Sequence, residues 1–326
     1  MKLFVGLDVS SEKLDTCFLT DDDDLSILLE KTFPNDLNGA TAIKDQIIKF
    51  TESMIFQKIV IGMESTSLYS FHPATFFQTD KELNQYELVV TVENPFKIKQ
   101  FSRIFDEDKT DRIDAFRIAD YLRLQRYSSS PLKEEKYMAL QRLTRTRYQM
   151  VCQLTEAKQL FLENLTYKCN TLSRELKNGD SPTSVFGAAM IALMTEDYSL
   201  DDFSTMSLDA LAELLQHYGK GRFKSPEKIA EAIKKAVRDS YRLGKLAQES
   251  IDIILACLVK SIQAFQKQIK ILDQAIEDLV VILPEYQCLR SIPGIGPVYA
   301  AGLLAEIGQI ERLEDQLDKI QNSASD

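Results

Sequence analysis

Five short apolar, β-rich runs in the first 93 residues, separated by helical ones only after the third, constrain the fold of this chain more than any other feature. LFVGLDVS and LDTCFLT read as strands, and the polar turn SSEK between them is short enough for a hairpin. LSILLEKTF follows as a third strand. NDLNGATAIKDQIIKF has apolar residues at Leu37, Ala40, Ile43 and Ile47, the spacing of a helix, with a cap expected at Asn35 or Asp36. KIVIGMES is apolar on both faces and so is expected to be a central, buried strand. A helix near Leu68 to Phe77 precedes YELVVTVE, a further buried strand ended by Asn94-Pro95.

Three leading strands followed by αβαβ is the order of the RNase H-like (RuvC-like) α/β fold. Actin-like ATPase domains begin the same way but need glycine-rich phosphate loops, and DVSSEK and MESTSL contain no glycine. From Pro131 the character changes to a mainly α-helical region. Glu134 to Cys169 has no Pro or Gly and predicts one long helix. Asn178 to Gly221 is less regular and reads as an inserted helical subdomain. Residues 246 to 283 predict a second long helix, because Leu255, Leu258, Ile262, Phe265, Ile269, Leu272, Ile276, Leu279 and Leu283 alternate by three and four up to Pro284, which is expected to stop it. That stripe fits a coiled-coil-like helical hairpin within the chain and a dimer equally well. The expected division is therefore 1–130, an α/β domain; 131–283, a helical linker and coiled-coil region; and 284–326, the start of a further domain.

The acids in the first region set its chemistry. Asp8 sits inside an apolar strand, where a carboxylate is costly without a partner or a metal; an edge aspartate facing water is the alternative. Glu64 ends its strand where the chain leaves the sheet, the place where ligands gather in open α/β sheets. Asp111 and Asp114, three apart in DKTDRIDAFRIADYL, share one helix face. Taken alone, a solvated face balanced by Lys109, Arg112 and Arg117 explains that pair better than a cation between them does, and of these cations Lys109 and Arg112 are expected to touch phosphate. Taken together, the four form an oxygen-only set suited to two divalent ions acting on a phosphodiester. The chain has two histidines and five cysteines without C-x-x-C spacing, so zinc is not expected and Mg2+ or Mn2+ is. Asp15 is expected to face outward, and Asp106, Glu107, Asp108 and Asp120 to be solvated.

A net charge of −10 argues against a polyanionic partner, but Lys97 to Arg147 holds 13 basic and 8 acidic residues, a local +5 that leaves about −15 for the rest. No apolar run reaches about 18 residues, so no membrane span is expected. The N-terminus reads as a strand rather than a signal peptide, and the odd cysteine count fits a reducing cytoplasm. Near the other end, CLRSIPGIGPVYAAGLLAEIG has the helix-hairpin-helix pattern. Gly294 and Gly296 are expected to take positive φ and, with Ile295, to present backbone N–H groups to DNA phosphate, with Gly302 and nearby alanines allowing close helix packing. A plain αα-corner is the alternative.

GLDVSSEKLDTCFL, VIGMESTSLY, VENPFKIKQFSR and DKTDRIDAFRIADYL resemble the successive motifs of DEDD-type insertion-sequence transposases, the IS-one-ten family, and the likeness extends through ALQRLTRTRYQMVCQLTEAKQLFLENL into the Pro-Gly-Ile-Gly-Pro hairpin. The resemblance implies a RuvC-like domain with Asp8, Glu64, Asp111 and Asp114 as the acidic positions and Mg2+ or Mn2+ as the metal. It also implies donor and target DNA as partners, a bridge (guide) RNA, assembly as a dimer or tetramer, and work in the bacterial cytoplasm. Family members continue beyond the hairpin to a serine nucleophile, whereas here ERLEDQLDKIQNSASD follows, and Ser323 and Ser325 stand in no motif. The expectation is a truncated member that binds nucleic acid without completing strand exchange. A metal-dependent endonuclease of the junction-resolvase kind and a non-catalytic nucleic-acid-binding remnant are the alternatives.

Overall fold

The computed structural model describes residues 1–22, 26–65, 68–103, 111–124, 127, 134–195 and 198–308, with 111–113 described in backbone alone. The chain divides into two units, Met1–Glu135 with Ile307–Asp326, and Lys136–Glu306.

The first unit holds one sheet of five strands in the order β3-β2-β1-β4-β5. β1 (Lys2–Val9), β2 (Lys13–Thr20) and β3 (Ile27–Pro34) run antiparallel, each to the next. β4 (Lys58–Glu64) and β5 (Leu88–Glu93) join parallel to β1 by way of the helices α1 (Leu37–Ser53) and α2 (Phe71–Thr79). α2 follows a short 3-10 turn, Leu68–Ser70.

The period of two along each strand sorts the side chains onto two covered faces. Leu3, Val5 and Leu7 of β1 pack with Ile43 and Ile47 of α1 and Phe77 of α2. Phe4 of β1, Cys17 of β2 and Val60 of β4 point the other way, against α3 (Pro95–Ser102) and α4 (Asp111–Arg123). Both faces of β1 and β4 are thus apolar, as the run KIVIGMES suggested. β5 lies at the sheet edge and leaves Leu88, Val89 and Val92 half-buried, so YELVVTVE is less enclosed than expected.

The cap of α1 resolves to Asp36, whose carboxylate accepts from the Gly39 amide at 2.8 Å. Asp36→Ala removes that acceptor and is expected to cost about 1 kcal/mol, read as a lower denaturation midpoint at unchanged slope. α3 was not expected from the sequence. Its signal is local: Asn94 accepts from the Phe96 amide at 2.9 Å and Pro95 supplies a preset first turn.

The second unit is helical throughout its described residues. α5 (Glu135–Lys168) and α11 (Lys245–Val280) are the two long helices that the sequence predicts. They run antiparallel: Arg147 pairs with Asp273 and Lys168 with Asp252, 21 residues apart on each helix in opposite directions. Phe161 and Leu165 share a core with Leu255, Val259 and Ile262, while Tyr137 and Leu140 meet Ile276 and Val280. The stripe on α11 is therefore covered within the chain along much of its length. α11 ends at Val280, before the proline expected to stop it; Pro284 instead opens α12 (Pro284–Arg290), where its missing N–H leaves no helical bond unmade.

Between the long helices lie α6 (Leu172–Asn178), α7 (Ala188–Thr195), α8 (Leu200–Thr205), α9 (Leu208–Gly219) and α10 (Pro226–Asp239). They bury Leu176, Leu193, Phe203, Leu215 and Ile233 in the same core as Phe161 and Leu255. The fully enclosed Lys168 ammonium donates to the Met194 carbonyl at 2.7 Å and pairs with Asp252 at 2.8 Å, tying α5, α7 and α11 together.

Candidate functional site

The carboxylates of the first unit form a row across the sheet. Asp8 is the Cα partner of Asp15 on β2, and Glu64 is the partner of Glu93 on β5. Leu7 pairs with Met63, so Asp8 and Glu64 stand level at the C-terminal ends of adjacent parallel strands. All four lie on the α4 face. Phe4 and Gly6 look toward α4, and alternation carries Asp8 to that side; Val60 and Gly62 do the same for Glu64, and Cys17 for Asp15.

Gly6 is the point of closest approach between strand and helix. A Cβ built there would come within 2.5 Å of the Ala119 nitrogen and closer still to the Ala115 carbonyl. Asp114 is the residue before Ala115, so it begins the turn of α4 that lies on β1, two strand positions from Asp8. Its side chain is one-third exposed and meets the buried Arg117 guanidinium at 3.6 Å. Asp111 opens the same helix, but its side chain and that of Arg112 lie outside the described residues, as does all of Lys109.

Not every acid on this face is available. Asp15, expected to face outward, is buried at 5% exposure; it pairs with Lys13 at 3.1 Å and accepts from the Thr32 hydroxyl, because β2 lies inside the sheet with α4 above it. Asp120, expected to be solvated, is also buried and holds Arg123 at 2.7 Å. Asp106, Glu107 and Asp108 lie outside the described residues. Glu93, which sequence reasoning passed over, is 1% exposed and accepts from the Thr91 hydroxyl at 2.6 Å. Its signal was available: Glu93 ends an apolar strand just as Glu64 does. Burial, with Glu30 adding, pushes the Cys17 thiol up to about 12.

In donor chemistry and in face, Asp8, Glu64 and Asp114 suit an oxygen-ligated divalent ion. Among the described residues, no three acidic, histidine or cysteine side chains lie close enough together to enclose one.

The second candidate site is the turn between α12 and α13 (Pro297–Ile307). Gly294 has φ +89°, the left-handed conformation that glycine adopts without strain. Gly296 does not take positive φ, contrary to expectation. It acts as a helix start, its carbonyl accepting from Ala300 at 3.0 Å. The Ile295 amide donates to the Ile292 carbonyl at 3.1 Å, and the Ile295 carbonyl accepts from Arg290 at 2.7 Å. Of the three N–H groups expected to face phosphate, that of Ile295 is thus already engaged. Gly302 meets nothing within 4 Å of a would-be Cβ, so close packing is not its role; Ala300, Ala301, Leu304 and Ala305 form the packed face. Beside the turn a cleft of about 480 Å³ opens among α5, α11, α12 and α13. Arg147 and Arg290 on its walls already hold Asp273 and the Ile295 carbonyl, so neither stands as a bare anion site.

Residues 5–169 match a DEDD transposase model of the IS110 family, described as a transposase, and residues 286–318 match a second model, described as Transposase IS116/IS110/IS902 family. The chain belongs to the IS110 family of transposases. No curated protein matches it. The first match takes in the whole acidic row and α5 of this transposase, and the second covers the α12–α13 turn. The α6–α10 bundle lies outside both. No helix among the described residues is long and apolar enough to cross a membrane.

Proposed function

We propose that this transposase cleaves and exchanges DNA strands with a divalent metal, Mg2+ or Mn2+, held by Asp8, Glu64, Asp111 and Asp114. The observation that carries the reading is the level placement of Asp8 and Glu64 at the ends of adjacent strands, on the face against which α4 brings Asp114. The strand order, with a three-stranded antiparallel meander leading into parallel strands, supports a RuvC-like reading of the first unit. When bound, the ions would activate the attacking oxygen and stabilise the leaving one. The chain's own part is to hold the carboxylates aligned. β1 and β4 fix two of them through a buried sheet, and the close approach at Gly6 fixes the helix that carries the others. We assign no nucleophile for strand joining among the described residues.

The α12–α13 turn is read as a contact to DNA phosphate through Gly294 and Gly296, which leaves base identity unread. Lys109 and Arg112 are read as further phosphate contacts. Sequence choice then falls to a bridge RNA, held by the RuvC-like unit and the α5–α11 pair, and two or four copies act on donor and target DNA in the cytoplasm. The test is cleavage of a supercoiled plasmid bearing donor and target sites, with the element's flanking RNA supplied. Nicking or joining is expected with Mg2+ or Mn2+ and loss of it with EDTA. Equal processing of DNA in EDTA would sink the metal reading, and metal-dependent nicking without joined products would favour a hydrolytic nuclease.

A further inference from the structure

We infer that the α9–α10 turn, in the bundle that neither family match covers, is an added grip on the backbone of duplex DNA. The turn is built to hold its shape. Lys220 (φ +53°) and Gly221 (φ +71°) are both left-handed and reverse the chain at the end of α9. The Lys220 and Gly221 amides close onto the His217 and Gln216 carbonyls at 3.1 and 2.9 Å, and the Gln216 side chain donates to the Phe223 carbonyl at 2.9 Å. The Phe223 ring lies against Gly219, so close that no Cβ would fit between them. Pro226 then starts α10.

Lys220, Arg222 and Lys224 project from this fixed turn toward solvent, and none makes an ion pair among the described residues. Lys228, one helical turn further on, reaches only Asp180, at 4.0 Å. Most other cations of the same bundle, Lys177 apart, are engaged. Lys235 and Arg174 hold Glu175, Arg238 holds Asp239, Arg242 faces Asp201, and Lys234 donates to the Met206 carbonyl. Lys220 is also the one non-glycine residue with positive φ among the described residues. A glycine would hold that position without the steric penalty, so the lysine keeps a charge where the backbone disfavours it.

A rigid turn carrying three such cations, on a chain of net charge −10, is a local point of attraction for a polyanion that the bulk charge repels. Duplex DNA is the polyanion that a transposase must hold. The inference rests on the reading that this chain handles DNA, and places an extra grip in an appended bundle.

The test is the salt dependence of binding to a short random-sequence duplex by the full chain and by its K220Q/R222Q/K224Q variant, with melting temperatures matched. Removing one phosphate-binding cation lowers the salt slope by about one, so a fall of about three and an affinity loss of about tenfold at low salt are expected. Arg222→Gln alone, at an exposed side chain, is expected to lower the slope by about one, and guards against misfolding of the triple variant. Unchanged slopes with intact wild-type binding would overturn the inference. So would a variant that weakens binding of a structured RNA hairpin and leaves duplex DNA unaffected. If the wild-type chain binds no duplex at any salt, the broader DNA reading fails along with it, a result distinct from the other two.

Discussion

Asp8→Asn is expected to lower metal-dependent DNA cleavage by the full chain by at least about 10²-fold, the scale seen when one preorganised oxyanion-stabilising group is removed from an acyl-transfer site. Asparagine keeps the shape of aspartate and removes only its charge, so the strand it sits on should be undisturbed. Asp8 is half-buried between β2 and β4, level with Glu64. Two carboxylates on adjacent strands repel, and a cation between them relieves this; with one made neutral, both the repulsion and the cation affinity fall. Three readouts belong together: cleavage rate, Mn2+ affinity by calorimetry, and melting temperature. Rate and affinity should fall while the melting temperature holds or rises. Asp15→Asn is the contrast, because Asp15 occupies the partner position on β2 but already holds Lys13 and Thr32. It should lower stability and leave metal affinity nearly unchanged. Full activity in Asp8→Asn, or equal losses of metal affinity in both variants, would sink the assignment of the acidic set.

Gly6→Ala is expected to cost about 3 kcal/mol, the upper end of the range for overpacking a well-filled core. The methyl would press on backbone atoms of Ala115 and Ala119, which cannot rotate away, so α4 must lift from β1. Asp114 and Asp111 lie on that helix, and the variant should therefore lose metal affinity as well as stability. Gly62→Ala makes a similar intrusion, but against the Leu122 side chain, whose methyl groups can shift, so a smaller loss is expected. Gly302→Ala meets nothing, and in a helix interior it should gain about 0.5–1 kcal/mol. Urea unfolding of the three variants decides the matter. If Gly6→Ala is no worse than Gly302→Ala, the close approach of strand and helix is not what positions α4.

Much of the first unit was legible because its strands carry their burial in their pattern. KIVIGMES is apolar on both sides because helices cover both faces, and Asp36 caps α1 because a short carboxylate before an amphipathic run has an amide to accept from. Glu64 was legible as the end of its strand and Asp8 as a strand residue, though only the structure puts Asp8 next to the strand's last residue. Asp15 and Asp120 were misread, since a polar residue in a strand or helix does not disclose whether a partner waits on a neighbouring element or turn. Lys13, Thr32 and Arg123 supply those partners. Gly294 and Gly296 looked alike in sequence, yet one turns the chain through a left-handed conformation and the other starts a helix.

By itself, then, the sequence determined the five strands, α1, α2 and the two long helices, their order, and the family motifs, because periodicity and local caps act over a few residues. Only the tertiary structure decided which carboxylates share a face and that α5 and α11 cover one another's stripes. It also decided that Lys220, Arg222 and Lys224 face solvent without an ion pair among the described residues. Those outcomes depend on contacts between residues far apart in the chain, where register and close approach, rather than residue type, set what each side chain meets.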